Sequence, residues 1–393
     1  MAAAPRPADA TSFLVGSLRP WPHADSPGLL AVTDPAGGRV GPYDSALVVL
    51  ALIRAGDRDR AGRIVHALSA LQRPDGGLPF LFTLPAPDDA RRYERSGAIA
   101  WVGYAAVEYL DAADGGDARA DALTLAHHAA AYLIRRQLRK VGDPRDGLVL
   151  GGVGTVDYVT EGDSVRESYD PADVAWASVE HNVDAYFFLT ALARVTDTPG
   201  YMDAARRIAR ALKERAWSAD DGQLAQGIGE LGPDTTSALD CASWGSVFLG
   251  NIGEGARAET AAAVADGRYA SRDPRSGIRG HRPYATGPVI ENVGLMRRFA
   301  GQLPAATWEH LGVVWPEGSA GVAFAELRAG HADRARAILD DLESLRSPDG
   351  SLPTATLEVP YTFDTSPGIA STAWVALVRF ELERPAGRWT LWP

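Results

Sequence analysis

Cysteine is almost missing from this chain: Cys241 stands alone among 393 residues. With no second thiol, no internal disulfide can form, and a cysteine-rich zinc site is excluded. Histidine is sparse, with 8 residues. The one close pair, His127 and His128, is adjacent in sequence, and neighbours on a helix point about 100° apart, a poor arrangement for sharing a metal. No metal and no cofactor is therefore expected. A surplus of basic charge is missing too: 39 Lys and Arg against 50 Asp and Glu give a net charge of −11. Phosphate backbones need clustered cations, so no nucleic-acid partner is expected. Long apolar runs do not occur; the longest, residues 46–53, is far short of a membrane span, so no membrane partner is expected. Residues 1–20 hold no apolar core longer than Phe13-Leu14-Val15, which gives no sign of a secretory leader and points to a cytoplasmic protein. Also missing are His-Glu-x-x-His, a P-loop and Gly-x-Ser-x-Gly. Asp340-Asp341 falls on an amphipathic helix and reads as solvated.

An internal repeat is present instead. Residues 55–79, AGDRDRAGRIVHALSALQRPDGGLP, align without gaps on residues 329–353, AGHADRARAILDDLESLRSPDGSLP, at an offset of 274. Each copy shows apolar residues at helical spacing, Ile64, Leu68 and Leu71 in one and Ile338, Leu342 and Leu345 in the other, and stops at Pro-Asp-Gly. The match continues backwards, with SALVVLALIRAG (45–56) on SAGVAFAELRAG (319–330). The repeated unit is two helices joined by an Ala-Gly turn.

Apolar helices are expected at about 96–111, 175–196, 235–249, 288–301 and 367–382, with amphipathic partners at about 117–139, 199–215, 255–266 and, weakly, 304–312. Six or seven helix pairs at this spacing make a helical array. Helices such as AWASVEHNVDAYFFLTALARV are apolar nearly all round and must be buried, whereas their partners have one wet face. An inner ring wrapped by an outer one satisfies both patterns. The reading is one all-α domain over 1–393, an (α/α)6 toroid (six-hairpin barrel) with residues 1–40 as an irregular N-terminal segment. A short hairpin within 148–161 is the one β element expected.

The Gln72-Arg-Pro-Asp-Gly-Gly turn and its copy at Pro348-Asp-Gly-Ser resemble the turn that recurs in α/α toroids. Further, EHNVDAY (180–186), PDTTSALDCASWG (233–245), WPEGSAGVA (315–323) and YTFDTSPGIASTAW (361–374) resemble bacterial six-hairpin proteins grouped with glycoside hydrolases. The terpenoid cyclase and prenyltransferase-β toroids are more distant. The resemblance implies the toroid fold and carbohydrate chemistry; function itself lives in the site.

In such a ring the inner helices run the same way, so their N-terminal turns gather at one end, where free backbone N–H groups favour carboxylates. Trp176, Glu180 and Asp184 recur at i, i+4, i+8, flanked by His181; they are either a pocket wall or buried acids tied to an arginine. Thr236, Asp240 and Trp244 repeat the spacing, with Asp234 as the expected N-cap and Asp240 one and a half turns inside the helix. Trp315 and Glu317 open a further inner helix, Tyr361 and Asp364 precede the last one, and Trp101, Tyr43 and Asp44 complete the candidate rim. Three acids, Glu180, Asp240 and Glu317, are the expected catalytic set, because glycoside hydrolysis needs one protonated and one ionised carboxyl across the scissile bond. The others are expected to hold a saccharide or other small-molecule substrate. Two further readings stand beside this one: a cyclase or isomerase of terpenoid, polyketide or sugar metabolism, and a non-catalytic binding scaffold. The missing Asp-x-Asp-Asp acid weighs against terpenoid cyclisation, and only His181 is placed for sugar epimerisation. Nothing in the sequence fixes the oligomeric state.

Overall fold

The computed structural model describes residues 9–21, 28–34, 37–85, 91–113, 115, 117–162, 164–299, 301–385 and 387–393. Thirteen α-helices are among them: α1 Ala10–Gly16, α2 Pro42–Ala55, α3 Arg58–Leu71, α4 Ser96–Ala112, α5 Asp117–Arg136, α6 Val179–Thr196, α7 Pro199–Ala211, α8 Leu239–Asn251, α9 Gly255–Arg268, α10 Val293–Phe299, α11 Pro316–Arg328, α12 Ala332–Glu343 and α13 Ile369–Leu382. Six of them pack in a closed circuit: α2 on α4, α4 on α6, α6 on α8, α8 on α11, α11 on α13, and α13 back on α2. These are the helices buried nearly all round. Each of α3, α5, α7, α9 and α12 packs outside the inner helix that precedes it, while α1 lies against α13 and α2. One continuous apolar core runs from Leu14 to Trp392.

The repeat is visible in three dimensions. Pro42 and Pro316, at matching positions, both open their helices. Their missing N–H costs nothing at a helix start. The fourth residue of four inner helices then ties the helix to chain outside it. Ser45 accepts the Ala31 N–H, Asn182 the Val149 N–H, Ser319 the His281 N–H and Thr372 the Leu352 N–H. Asn182, Ser319 and Thr372 also bond the carbonyl four residues back.

Several expectations need correction. The chain is not all-α: about half is helix and 19% strand. Of the segment 1–40 expected to be irregular, residues 1–8, 22–27 and 35–36 lie outside the described residues; in the rest, α1 is followed by strands Leu18–Trp21, Gly28–Asp34 and Arg39–Val40, which form a four-stranded antiparallel sheet with Phe82–Thr83. The middle strand packs on α3 and its first five residues are buried, so it carries no alternation to betray it. The hairpin is far longer than expected, pairing Gly152–Glu161 with Ser164–Val174. The expected inner helix at 288–301 shrinks to the short α10, which sits in a separate apolar cluster with Trp308 and Tyr158. Its would-be partner is only the 3-10 turn Trp308–His310. The ring of six is completed without it. Asp340 and Asp341 do lie on outer α12, paired with Arg379 and Arg279. Among the described residues no helix is long and apolar enough to cross a membrane.

Candidate active site at the mouth of the ring

The second residue of each inner helix faces the ring axis. Around the circuit these are Tyr43, Gly97, Glu180, Asp240, Glu317 and Ala370. One turn deeper come Leu47, Trp101, Asp184, Trp244, Gly321 and Trp374. The Trp244 and Trp374 rings stack with centroids 5.3 Å apart, and Trp101 meets both at 6.2 and 5.4 Å. Another turn down, Tyr104, Phe187 and Phe324 surround Trp392 from the C-terminal tail; Phe187 stacks on it at 4.4 Å and 4°. Trp392 is 1% exposed. The ring is thus filled from below with aromatics.

Asp44, Glu180, Asp240 and Glu317 are half-buried, wrapped by protein yet retaining some surface, and Asp184 is buried. None forms an ion pair with a described residue. Burial, then Glu317, raises Glu180 to about 7. Burial raises Glu317 to about 7 as well, against hydrogen bonds from Tyr43 and Trp315 that favour its ionised form. Asp44 is raised to about 7 by burial and by Glu317. Asp184 and Asp240 are pushed well above the usual carboxylate range by burial and by repulsion from Glu180, with Glu317 adding to the effect on Asp240. Trp101 partly offsets the rise at Asp184, although Trp101 Nε1 and Asp184 Oδ1 fall outside hydrogen-bond geometry. Burial and Arg95 lower His181 to about 4, leaving it neutral at pH 7.

Glu317 is held by a relay. Trp374 Nε1 donates to Tyr43 Oη at 2.8 Å, and Tyr43 Oη donates to Glu317 Oε1 at 2.6 Å. Tyr43 and Glu317 are 274 residues apart, the offset of the repeat, so one position in two copies supplies both partners. The helix between them, α13, contributes only Ala370 at that level, which leaves the tyrosine room to reach. Gly97 serves His181 in the same way: a Cβ there would lie 2.3 Å from the imidazole Cδ2.

Most of the expected rim is assembled here: Tyr43, Asp44, Trp101, Glu180, His181, Asp184, Asp240, Trp244 and Glu317, with Trp315 beside Glu317. Others are placed differently. Trp176 lies ahead of α6, not on it, with its indole wedged against Gly227, so the expected stripe begins at Glu180. Asp240 is in the first turn of α8, not deeper, because the helix starts only at Leu239. Asp234 does not cap it; its carboxylate accepts the Thr236 N–H in a turn. Asp364 is exposed and closes its own loop by accepting from Ser366 N. Tyr361 is 49% exposed and packs on Tyr158 and Phe299. Trp392, at the foot of the site, carried no helical spacing that could have marked it. Among the described residues no three His, Cys, Asp or Glu side chains are grouped to hold a metal ion.

No protein-family model matches the chain, and no curated protein matches it in sequence. Solved structures do match in fold. A glycosidase solved with glucose, an alanine replacing one of its glutamates, is similar over 95% of both chains with a TM-score of 0.63 at 14% identity. A D-mannose isomerase is similar over 95% of both chains, also with a TM-score of 0.63, at 11% identity. An α-mannanase of Bacteroides thetaiotaomicron covers 95% of this chain and is covered over 93% of its own, with a TM-score of 0.58 at 10% identity. At these identities the likeness shows the fold alone, the (α/α)6 toroid that these structures share, and the resemblance seen in the sequence holds at that level.

Proposed function

We propose that this chain is a glycoside hydrolase acting on an oligosaccharide or a glycosylated small molecule. The observation that carries the reading is a ring of inward carboxyls raised to about neutrality with no cation among the described residues paired to any of them. Acids tuned in this way are what proton transfer at pH 7 requires. Glu180 has no hydrogen bond favouring its anion, so it is the protonated member and delivers its proton to the glycosidic oxygen as that bond breaks. Glu317 accepts the Tyr43 hydroxyl and is the ionised member, attacking the sugar carbon directly or taking a proton from the water that does. Asp240 and Asp184, held protonated, donate hydrogen bonds to sugar hydroxyls or to the neighbouring carboxylate. Trp101, Trp244 and Trp315 supply apolar faces for the sugar ring. The glycosidase with the same fold has solved variants in which two different glutamates and a tyrosine are replaced, the residue types on which this site is built.

The test is kinetic. Glu180→Gln and Glu317→Gln should each lower kcat/KM on alkyl glycosides by about 10²–10⁴-fold. On 4-nitrophenyl glycosides, whose leaving group needs little protonation, Glu180→Gln should lose far less and Glu317→Gln just as much. Equal losses on both substrates would reverse or cancel the assignment. A sugar isomerase is the second reading, favoured by the equally similar D-mannose isomerase and by a neutral His181 next to Glu180. Following D-mannose and D-fructose by NMR separates the two.

A further inference from the structure

The acid–base reading makes no use of the Gly152–Glu161/Ser164–Val174 hairpin, which is the longest β element among the described residues. Its root is fixed beside the site. Glu94 and Arg95, immediately before α4, pair with Val153 and Gly152, and the returning strand ends a few residues before α6. Arg95 donates to the Gly154 carbonyl at 2.7 Å, and Tyr169 Oη to the Arg92 carbonyl at 2.8 Å. Its far part meets a different wall. Asn292 Nδ2 donates to the Tyr158 carbonyl at 2.8 Å, and Thr160 packs so tightly on α10 that a Cβ at Gly294 would lie 2.0 Å from its hydroxyl. The Tyr158 ring rests on Tyr361, with centroids 4.5 Å apart, and Tyr361 is held at φ 63. A bulky residue keeps a left-handed backbone only when its surroundings enforce it.

The root and the Tyr361 contact belong to helices on opposite sides of the ring. In the circuit α2, α4, α6, α8, α11, α13, helix α4 stands across from α11, and α6 across from α13. The hairpin is rooted at the N-terminal ends of α4 and α6, whereas Tyr361 belongs to the segment leading into α13; Asn292 and Gly294 follow chain that is bonded to the approach to α8, through Leu239 N to the Pro283 carbonyl and Ala285 N to the Ser237 carbonyl. Both sets are at the end where the acids gather. Six helices at about 10 Å spacing put the axes of opposite helices on the order of 20 Å apart. Eight residues of strand, from the root to Thr160, reach about 26 Å. The length matches a crossing. Along the hairpin Val156, Tyr158 and Thr160, opposite Tyr169, Glu167 and Val165, form one face, and Tyr158 and Val165 are the members packed into the α10 cluster.

We infer that the hairpin, latched through Tyr158 and Tyr361, roofs the mouth and sets substrate length. The site then takes a terminal sugar carrying a small group and turns away the interior of a polysaccharide. Trp392, buried and stacked on Phe187, fills the ring from below, so a long chain cannot thread through it there. The substrate class rests on the hydrolase reading; the roof itself does not.

The experiment separates the two. Residues 155–170, bounded by the Thr155–Asp170 pair, are replaced by Asn-Gly, and Tyr158→Ala/Tyr361→Ala is made as a milder variant should the shortened chain fail to fold. Glu180 and Glu317 are labelled by carbodiimide coupling, once with methylamine and once with an amino-functionalised trisaccharide, and uptake is read by mass spectrometry. In the parent chain only methylamine should enter; opening the roof should speed trisaccharide uptake by at least about tenfold. Equal trisaccharide uptake in parent and variants would overturn the roof. The ratio of kcat/KM for 4-nitrophenyl trisaccharides over monosaccharides should rise by a similar factor; an unchanged ratio with opened labelling would overturn the length-setting role. If labelling opens while neither chain cleaves any glycoside, the roof stands and the hydrolase reading falls.

Discussion

Raising the pH from about 6.5 to about 8.5 is expected to weaken the folded state, because five unpaired carboxyls must shed protons that burial makes them keep. Glu180 and Glu317 rise from an ordinary 4.5 to about 7, and Asp44 from 3.8 to about 7. When the folded form of an acid holds its proton more tightly than the unfolded form, the native state binds more protons between the two pKa values, and stability falls as pH rises through that window. For one carboxyl near 7, the interval from about 6.5 to about 8.5 removes about 0.8 kcal/mol, so three remove about 2.5 kcal/mol. Asp184 and Asp240, raised further, add to the loss. His181 works in the opposite direction: lowered from 6.5 to about 4, it adds stability as pH rises between those values and nothing more above 6.5. The window above 6.5 therefore isolates the acids.

The assay is urea unfolding followed by tryptophan fluorescence, and the midpoint should move down steadily across that range. Glu180→Gln and Glu317→Gln should each flatten the dependence, and at the alkaline end each should be more stable than the parent, since a neutral amide replaces a buried charge. A midpoint that stays level or climbs, with Gln variants no better than the parent at high pH, would mean that the acids are well solvated or paired, and the tuned-carboxyl argument would fail with it.

Tyr43→Phe removes the hydroxyl that favours the Glu317 anion and leaves Trp374 Nε1 without an acceptor. A charge-assisted hydrogen bond of about 1.5–3 kcal/mol corresponds to about one to two pH units, so the acid limb of the pH–rate profile should move upward by that amount; an unmoved limb would detach Glu317 from the titration. Trp392→Ala should cost about 3–5 kcal/mol in urea unfolding by opening a cavity under Trp101 and Phe187, and a loss under 1 kcal/mol would show that the tail does not support the site floor.

The ring was legible because it repeats. Burial on all sides marked α2, α4, α6, α8, α11 and α13, and the 274-residue offset linked α2 to α11. Helix starts were harder: Trp176 and Thr236 keep the i, i+4 spacing with Glu180 and Asp240, yet both lie before their helices, since spacing alone does not say where the first turn closes. The strand Gly28–Asp34 was hidden by its continuous apolar sequence, and the full length of the hairpin, of which only a short piece within 148–161 was expected, by faces that are polar on one side and only partly buried on the other. Tyr43 was seen as a rim aromatic, but its bond to Glu317 depends on two helices separated by a third, a distance no local pattern encodes.

Position along the inner helices explains why the acids differ. Glu180, Asp240 and Glu317 occupy first turns, where free N–H groups favour an anion by about 0.3–2 kcal/mol. Burial opposes this with more, and the balance for Glu180 and Glu317 falls at about 7. Asp184, a turn deeper, lacks the helix-end contribution and stays protonated. Asp240 has that contribution but stands on the helix between those of Glu180 and Glu317, is repelled by both, and stays protonated too. The order of helices around the ring thus divides four similar side chains into two that titrate near neutrality and two that serve as fixed donors, the division an acid–base pair with supporting hydrogen bonds requires.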